Sequence, residues 1–170
     1  DVMDIAGYNY PDRYFPKMYE EQHADYPNRI LLGTENTINE ENWLAVRDNP
    51  YVVGLFLWVG IDYLGESVQW PRRSWQWGLI DISGFEKSHY YQWQAYWSDK
   101  PMVRIAVMDD RIEIPKPSKK HWDWPAMVSH WNLPELEGEK VTVAVFTTCE
   151  AAELFVNGKS LGVRKKTDTD

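Results

Sequence analysis

The sequence predicts an α/β region built on a parallel sheet, followed by a smaller antiparallel β region. Three observations predict it. Short apolar runs alternate with charged, helix-forming stretches up to Trp97, the βαβ pattern of a parallel sheet. Each run ends in polar or aromatic groups: Tyr8 and Tyr10, then Glu35 and Asn36, then Trp58 and Asp62. After Ser98-Asp99-Lys100-Pro101 the pattern becomes strict alternation with turn residues between runs, as in a β-sandwich. The expected division is residues 1–100 and 101–170.

Met3 to Tyr10 reads as the first strand, stopped by Pro11, because proline donates no ladder hydrogen bond. Tyr14 to Asp25 reads as a helix with Pro16 in its first turn and apolar Phe15, Met18 and Tyr19. Arg29 to Glu35 is the second strand, an apolar run too short for a helix. Asn39 caps the next helix, with Glu40 and Glu41 in its first turn and Ile38 and Trp43 at the staple positions. Asn49-Pro50 ends it. Val52 to Val59 is a third strand, apolar on both faces, and Gly60 to Lys87 reads as a long loop. Ser88 to Trp97 is a last helix, with Tyr91, Trp93, Gln94 and Trp97 available for its inward face. Beyond it, Met102 to Met108 and Val141 to Thr147 alternate as strands, separated by the stretch Pro115 to Lys120 and by Trp122-Asp123-Trp124-Pro125. Glu153 to Gly162 reads as a hairpin, with Asn157-Gly158 as its type I′ turn. Four such strands are fewer than the roughly seven of a complete sandwich, so this region is expected to be truncated.

Composition narrows the class. Of 170 residues 44% are hydrophobic, enough for a core. The net charge of −8 argues against a nucleic-acid partner, which needs a basic face. No apolar run approaches the roughly 18 residues of a membrane helix. The single cysteine, Cys149, excludes an internal disulfide and a cysteine-based metal cluster. His23, His89, His121 and His130 are scattered without ligand spacing, so neither a metal nor a cofactor is expected. Aromatics reach 15%, with ten Trp and ten Tyr; this suits either a Trp-rich core or a sugar site, where ring faces pack on pyranose C–H faces. The chain opens inside a strand at Asp1-Val2-Met3-Asp4-Ile5, so it is expected to be a piece of a longer protein.

Glu35 carries the chemistry. A carboxylate at the carboxyl end of a buried strand is where parallel α/β enzymes place catalytic groups. The plainer alternative is a solvated or Arg-paired strand-end Glu.

The runs Asp4-Ile5-Ala6-Gly7-Tyr8-Asn9-Tyr10, Leu32-Gly33-Thr34-Glu35-Asn36 and Gly54-Leu55-Phe56-Leu57-Trp58-Val59-Gly60-Ile61-Asp62-Tyr63, in this order, resemble glycoside hydrolase family 2, the family of β-galactosidases and β-glucuronidases. They look like strands six to eight of its (β/α)8 TIM barrel. Trp122 to Gly162 looks like part of the immunoglobulin-like domain that follows. The resemblance implies Glu35 as nucleophile, Tyr10 (or Tyr8, if the register slips) as its hydrogen-bond donor, and Trp58 as a wall of the sugar subsite. Asn36 and Asp62 either line the pocket or support it from behind. The implied reaction is retaining hydrolysis of a terminal β-linked sugar, with no cofactor.

The family's second carboxylate, an acid/base Glu preceded by Asn on strand four, has no counterpart here; Asn39-Glu40 opens a helix. The chain alone is therefore expected to be inactive. The Asn-x-Lys with which glucuronidases read a sugar carboxylate is missing from Trp75 to Ile80, although Arg72 and Arg73 lie nearby. A neutral sugar, galactose foremost, is the expected substrate, with glucuronidase or mannosidase activity as the alternative. A non-catalytic carbohydrate-binding module and a purely structural α/β piece are the rivals of other classes. An uncovered half-barrel is expected to bind a second copy or the rest of its parent enzyme. The resemblance leaves periplasmic, secreted and cytoplasmic locations open.

Overall fold

A computed structural model describes residues 3–14, 17–67, 70–71, 73–112 and 124–166. The described residues form two compact units, 3–78 and 79–112 with 124–166. The parting falls earlier than position 100, because the helix before it packs on strands of the second unit.

In the first unit β1 (Ile5–Asn9), β2 (Ile30–Asn36) and β3 (Val52–Leu57) form a parallel sheet in the order β1-β2-β3. The expected helix over 14–25 is instead two: α1 (Pro11–Tyr14) and α2 (Met18–Asp25). Pro11 opens α1 rather than merely ending a strand, since its fixed φ suits a first helical position. Phe15 and Pro16 lie outside the described residues. The helix α3 (Glu40–Asp48) starts where expected: the Asn39 side chain accepts a hydrogen bond from the Asn42 N–H at 2.9 Å. Ala6, Tyr19, Leu31 and Val52 form the core beneath the helices. The other face is open. Ile5, Ile30, Val53 and Phe56 are 52%, 41%, 56% and 62% exposed, so β3 is apolar on both faces but covered on one.

The loop after β3 is more structured than a plain connection. Tyr63–Leu64 (β4) pairs antiparallel with Ser74–Trp75 (β5). Trp75 and Trp77 are buried edge-to-face at 4.4 Å, so these tryptophans are core rather than sugar platforms. Arg72 lies outside the described residues.

The helix of the second unit is α4 (Ser88–Trp97), the segment the sequence predicts, but its buried face differs. Ser88, His89 and Trp93 point inward, while Trp97 is 49% exposed. The rest is antiparallel: β6 (Val103–Met108) lies between β7 (Met127–Val128) and β8 (Thr142–Thr147), and β9 (Ala151–Val156) pairs with β10 (Lys159–Lys165). Val107, Ile112, Ala126 and Leu136 form its core. Asn157 and Gly158, at φ 49° and 79°, make the left-handed pair that a type I′ turn requires. The stretch Pro115 to Lys120, with His121, Trp122 and Asp123, lies outside the described residues. His130 is exposed.

Candidate active site

Glu35 is half-buried near the carboxyl end of β2. Its direction follows from an irregularity in the ladder. Tyr8 pairs with Gly33, but Asn9 pairs with Glu35, so Thr34 is an extra residue in β2. Such a bulge re-aims the side chains after it. Asn36 consequently returns over Gly33, where a Cβ would lie 2.4 Å from its amide nitrogen and 2.9 Å from the Tyr19 hydroxyl.

Two donors converge on the Glu35 carboxylate. Tyr10 hydrogen-bonds it through its side chain, and the Asn9 amide donates to Oε2 at 3.4 Å. The Thr34 hydroxyl donates to Asn9 Oδ1 at 2.7 Å, which turns the Asn9 NH2 toward Glu35. The Tyr10 N–H also donates to the Glu35 carbonyl at 2.6 Å. Tyr10 holds a left-handed backbone, φ 50°, a conformation that costs a non-glycine residue roughly 1–3 kcal/mol and clusters at functional sites. Burial, then the hydrogen bond to Glu35, push its hydroxyl well above the ordinary tyrosine range. Tyr8 is not the donor: its hydroxyl reaches Gln22 of α2 at 2.6 Å.

Trp58 follows β3 directly and is half-buried. Its N–H donates to the Asn36 carbonyl at 2.8 Å, which ties it to the strand that carries Glu35. The Tyr63 ring meets it edge-on at 6.1 Å, and the indole N–H donates to the Tyr63 hydroxyl. That hydroxyl donates in turn to Glu66. Burial, the bond to Glu66 and the charges of Glu66 and Glu35 push Tyr63 up to about 12.

Asn36 and Asp62 are both buried and hydrogen-bonded within the fold. Asn36 is 0% exposed and donates to the Phe56 carbonyl at 3.2 Å, strapping β2 to β3. It offers a ligand no surface. Asp62 is 8% exposed and accepts from the Gly78 N–H at 2.8 Å, closing the loop after β3. Gly78 is required there, since a Cβ would lie 2.5 Å from the Asp62 nitrogen.

Asn9, Tyr63 and Glu66 were not singled out from the sequence as site residues. Asn9 stands between two tyrosines of the first strand end, and Tyr63 directly follows Asp62; their positions held the signal, but their partners are set by folding. A cleft of about 600 Å³ lies elsewhere, among Pro11, Tyr19, Glu41 and Asn42, and no expected site residue lines it.

Residues 138–170 match a family model described as a domain of unknown function, DUF4982. Over 97% of its length the chain is 33% identical to the β-galactosidase BoGH2A of Bacteroides ovatus, of which it spans 18%. Over 88% it is 28% identical to a putative β-glucuronidase of Formosa agariphila, of which it spans 13%. Among solved structures, a glycosyl hydrolase family 2 member from Bacteroides cellulosilyticus superposes over 98% of the chain with a TM-score of 0.85 and 33% identity; the chain covers 23% of it. The chain thus spans about a fifth of the length of the proteins it matches.

Proposed function

We propose that this chain, a segment of a glycoside hydrolase family 2 enzyme, supplies the nucleophile and one wall of a retaining, β-galactosidase-like active site. The observation that carries this reading is the convergence of Tyr10 and Asn9 on Glu35 at the end of a parallel strand. Hydrogen-bond donors around a carboxylate suit a negative charge, and a glycosidase nucleophile must attack as the anion. A Glu35 oxygen bonds to the anomeric carbon as the bond to the leaving oxygen breaks. A second carboxylic acid, about 5–5.5 Å away, protonates that oxygen. The same group then takes a proton from water, whose oxygen displaces Glu35 from the sugar. Trp58 offers its ring as the platform for the pyranose. We place the second carboxylate upstream of Asp1, on a fourth barrel strand, with β1 to β3 as strands six to eight and the second unit as part of an immunoglobulin-like domain. The free 170-residue chain then lacks the acid and does not turn over.

The similarity to BoGH2A supports galactose. Glucuronidase activity is the second reading, supported by the Formosa relative. The test uses the longer polypeptide that joins this segment to the upstream acid. A 2-deoxy-2-fluoro-β-galactosyl fluoride should add one fluorosugar to the peptide containing Glu35, and Glu35→Gln should abolish both labelling and turnover. Labelling at another residue, or sugar binding retained in Glu35→Ala with no covalent adduct in the wild type, would refute the assignment and favour a binding module.

A further inference from the structure

Next to the Trp58–Tyr63 pair the structure holds a carboxylate that this chemistry does not use. Glu66 follows Gly65 in the loop after β3, and both adopt positive φ, 47° and 94°. That reversal brings the Glu66 side chain back to the Tyr63 hydroxyl. Tyr63 in turn receives the Trp58 indole N–H and lies within electrostatic reach of Glu35. The two carboxylates therefore flank one aromatic pair. Among the described residues no cation forms an ion pair with Glu66. Arg73, the nearest cation in the sequence among the described residues, instead lies over the Trp70 ring at 5.0 Å.

We infer that Glu66, held on Tyr63, is a charge filter that disfavours glycosides carrying a C6 carboxylate and leaves neutral glycosides unaffected. The inference rests on Trp58 and Glu35 bounding the sugar subsite, as proposed above. A neutral pyranose on Trp58 meets one charge it needs, Glu35. A uronate adds a third negative charge to a subsite bounded by Glu35 and by Glu66 on Tyr63, and like charges repel even at a partly hydrated site. The hydrogen bond from Tyr63 matters because a free glutamate on an exposed loop would swing into solvent and be screened within a Debye length.

The experiment compares rates of covalent labelling of Glu35 in the longer polypeptide. The probes are 2-deoxy-2-fluoroglycosyl fluorides of galacto and gluco configuration, each with a neutral C6 hydroxymethyl and with a C6 carboxylate. The ratio of carboxylate to neutral rate should rise about tenfold in Glu66→Gln, by less in Tyr63→Phe, and in the wild type with added salt. A merely structural role would depress both rates together and leave the ratio alone. A ratio unchanged in Glu66→Gln, with Glu35 still labelled, would overturn the inference while the proposed function stands. Failure of every probe to label Glu35 would overturn both.

Discussion

Tyr10 is the residue on which the surroundings of the Glu35 carboxylate turn. Its left-handed backbone and its bond to Glu35 occur together, and the cost of the first is offset by the second and by its N–H bond to the Glu35 carbonyl. Removing only the hydroxyl isolates one donor. In the longer polypeptide, Tyr10→Phe should lower kcat by roughly 10- to 100-fold with little change in KM, since a hydrogen bond to a charged group contributes about 1.5–3 kcal/mol. Steady-state hydrolysis of an aryl β-galactoside measures this, and a kcat within twofold of wild type would count against Tyr10 as the donor. Asn9 shows the limit of reading residues singly. Its amide faces Glu35 because Thr34, extruded by the bulge in β2, orients it.

At the scale of elements, capping and turn chemistry were legible: the Asn39 cap, the Asn157-Gly158 turn and the span of α4 all follow from local rules. The buried face of α4 was not, because both of its faces carry aromatics and the sheet it meets decides between them. His89 is the consequence. It is 4% exposed, and its ring lies against Trp124 at 4.0 Å, tilted by 42°. Burial first, then Lys87, push its imidazole down to about 3 from an ordinary 6.5. Above pH 6.5 it is neutral in both folded and unfolded chains, and its contribution to stability is fully present. As the pH falls from there toward 3, the unfolded chain takes up a proton that the fold refuses. Stability should therefore decline by about 1.4 kcal/mol per pH unit from this group. Urea midpoints across this range measure it, and His89→Gln should flatten the profile. Equal slopes for variant and wild type would exclude His89 as the cause.

For the whole molecule the uncovered sheet face matters most. Ile5, Ile30, Val53 and Phe56 expose apolar surface on a sheet whose edges, β1 and β3, have no outer neighbour among the described strands. Surfaces of this kind associate. The isolated 170-residue polypeptide should scatter light as a dimer or larger species, and the pair Val53→Lys with Phe56→Lys should shift it toward monomer. A monodisperse wild-type monomer would contradict this.

Local chemistry alone determined the order of the three parallel strands, the helix cap, the hairpin turn and the carboxylate at a strand end, because apolar period, caps and turns are properties of neighbours in sequence. Tertiary structure decided which tyrosine reaches Glu35, that Asn36 straps the sheet while Asp62 closes a loop, and that Glu66 accepts from the Tyr63 hydroxyl. A single extra residue in β2 shifts the register and with it the face of each side chain that follows. Such a shift arises from pairing between strands about 25 residues apart, a distance at which no local pattern reports.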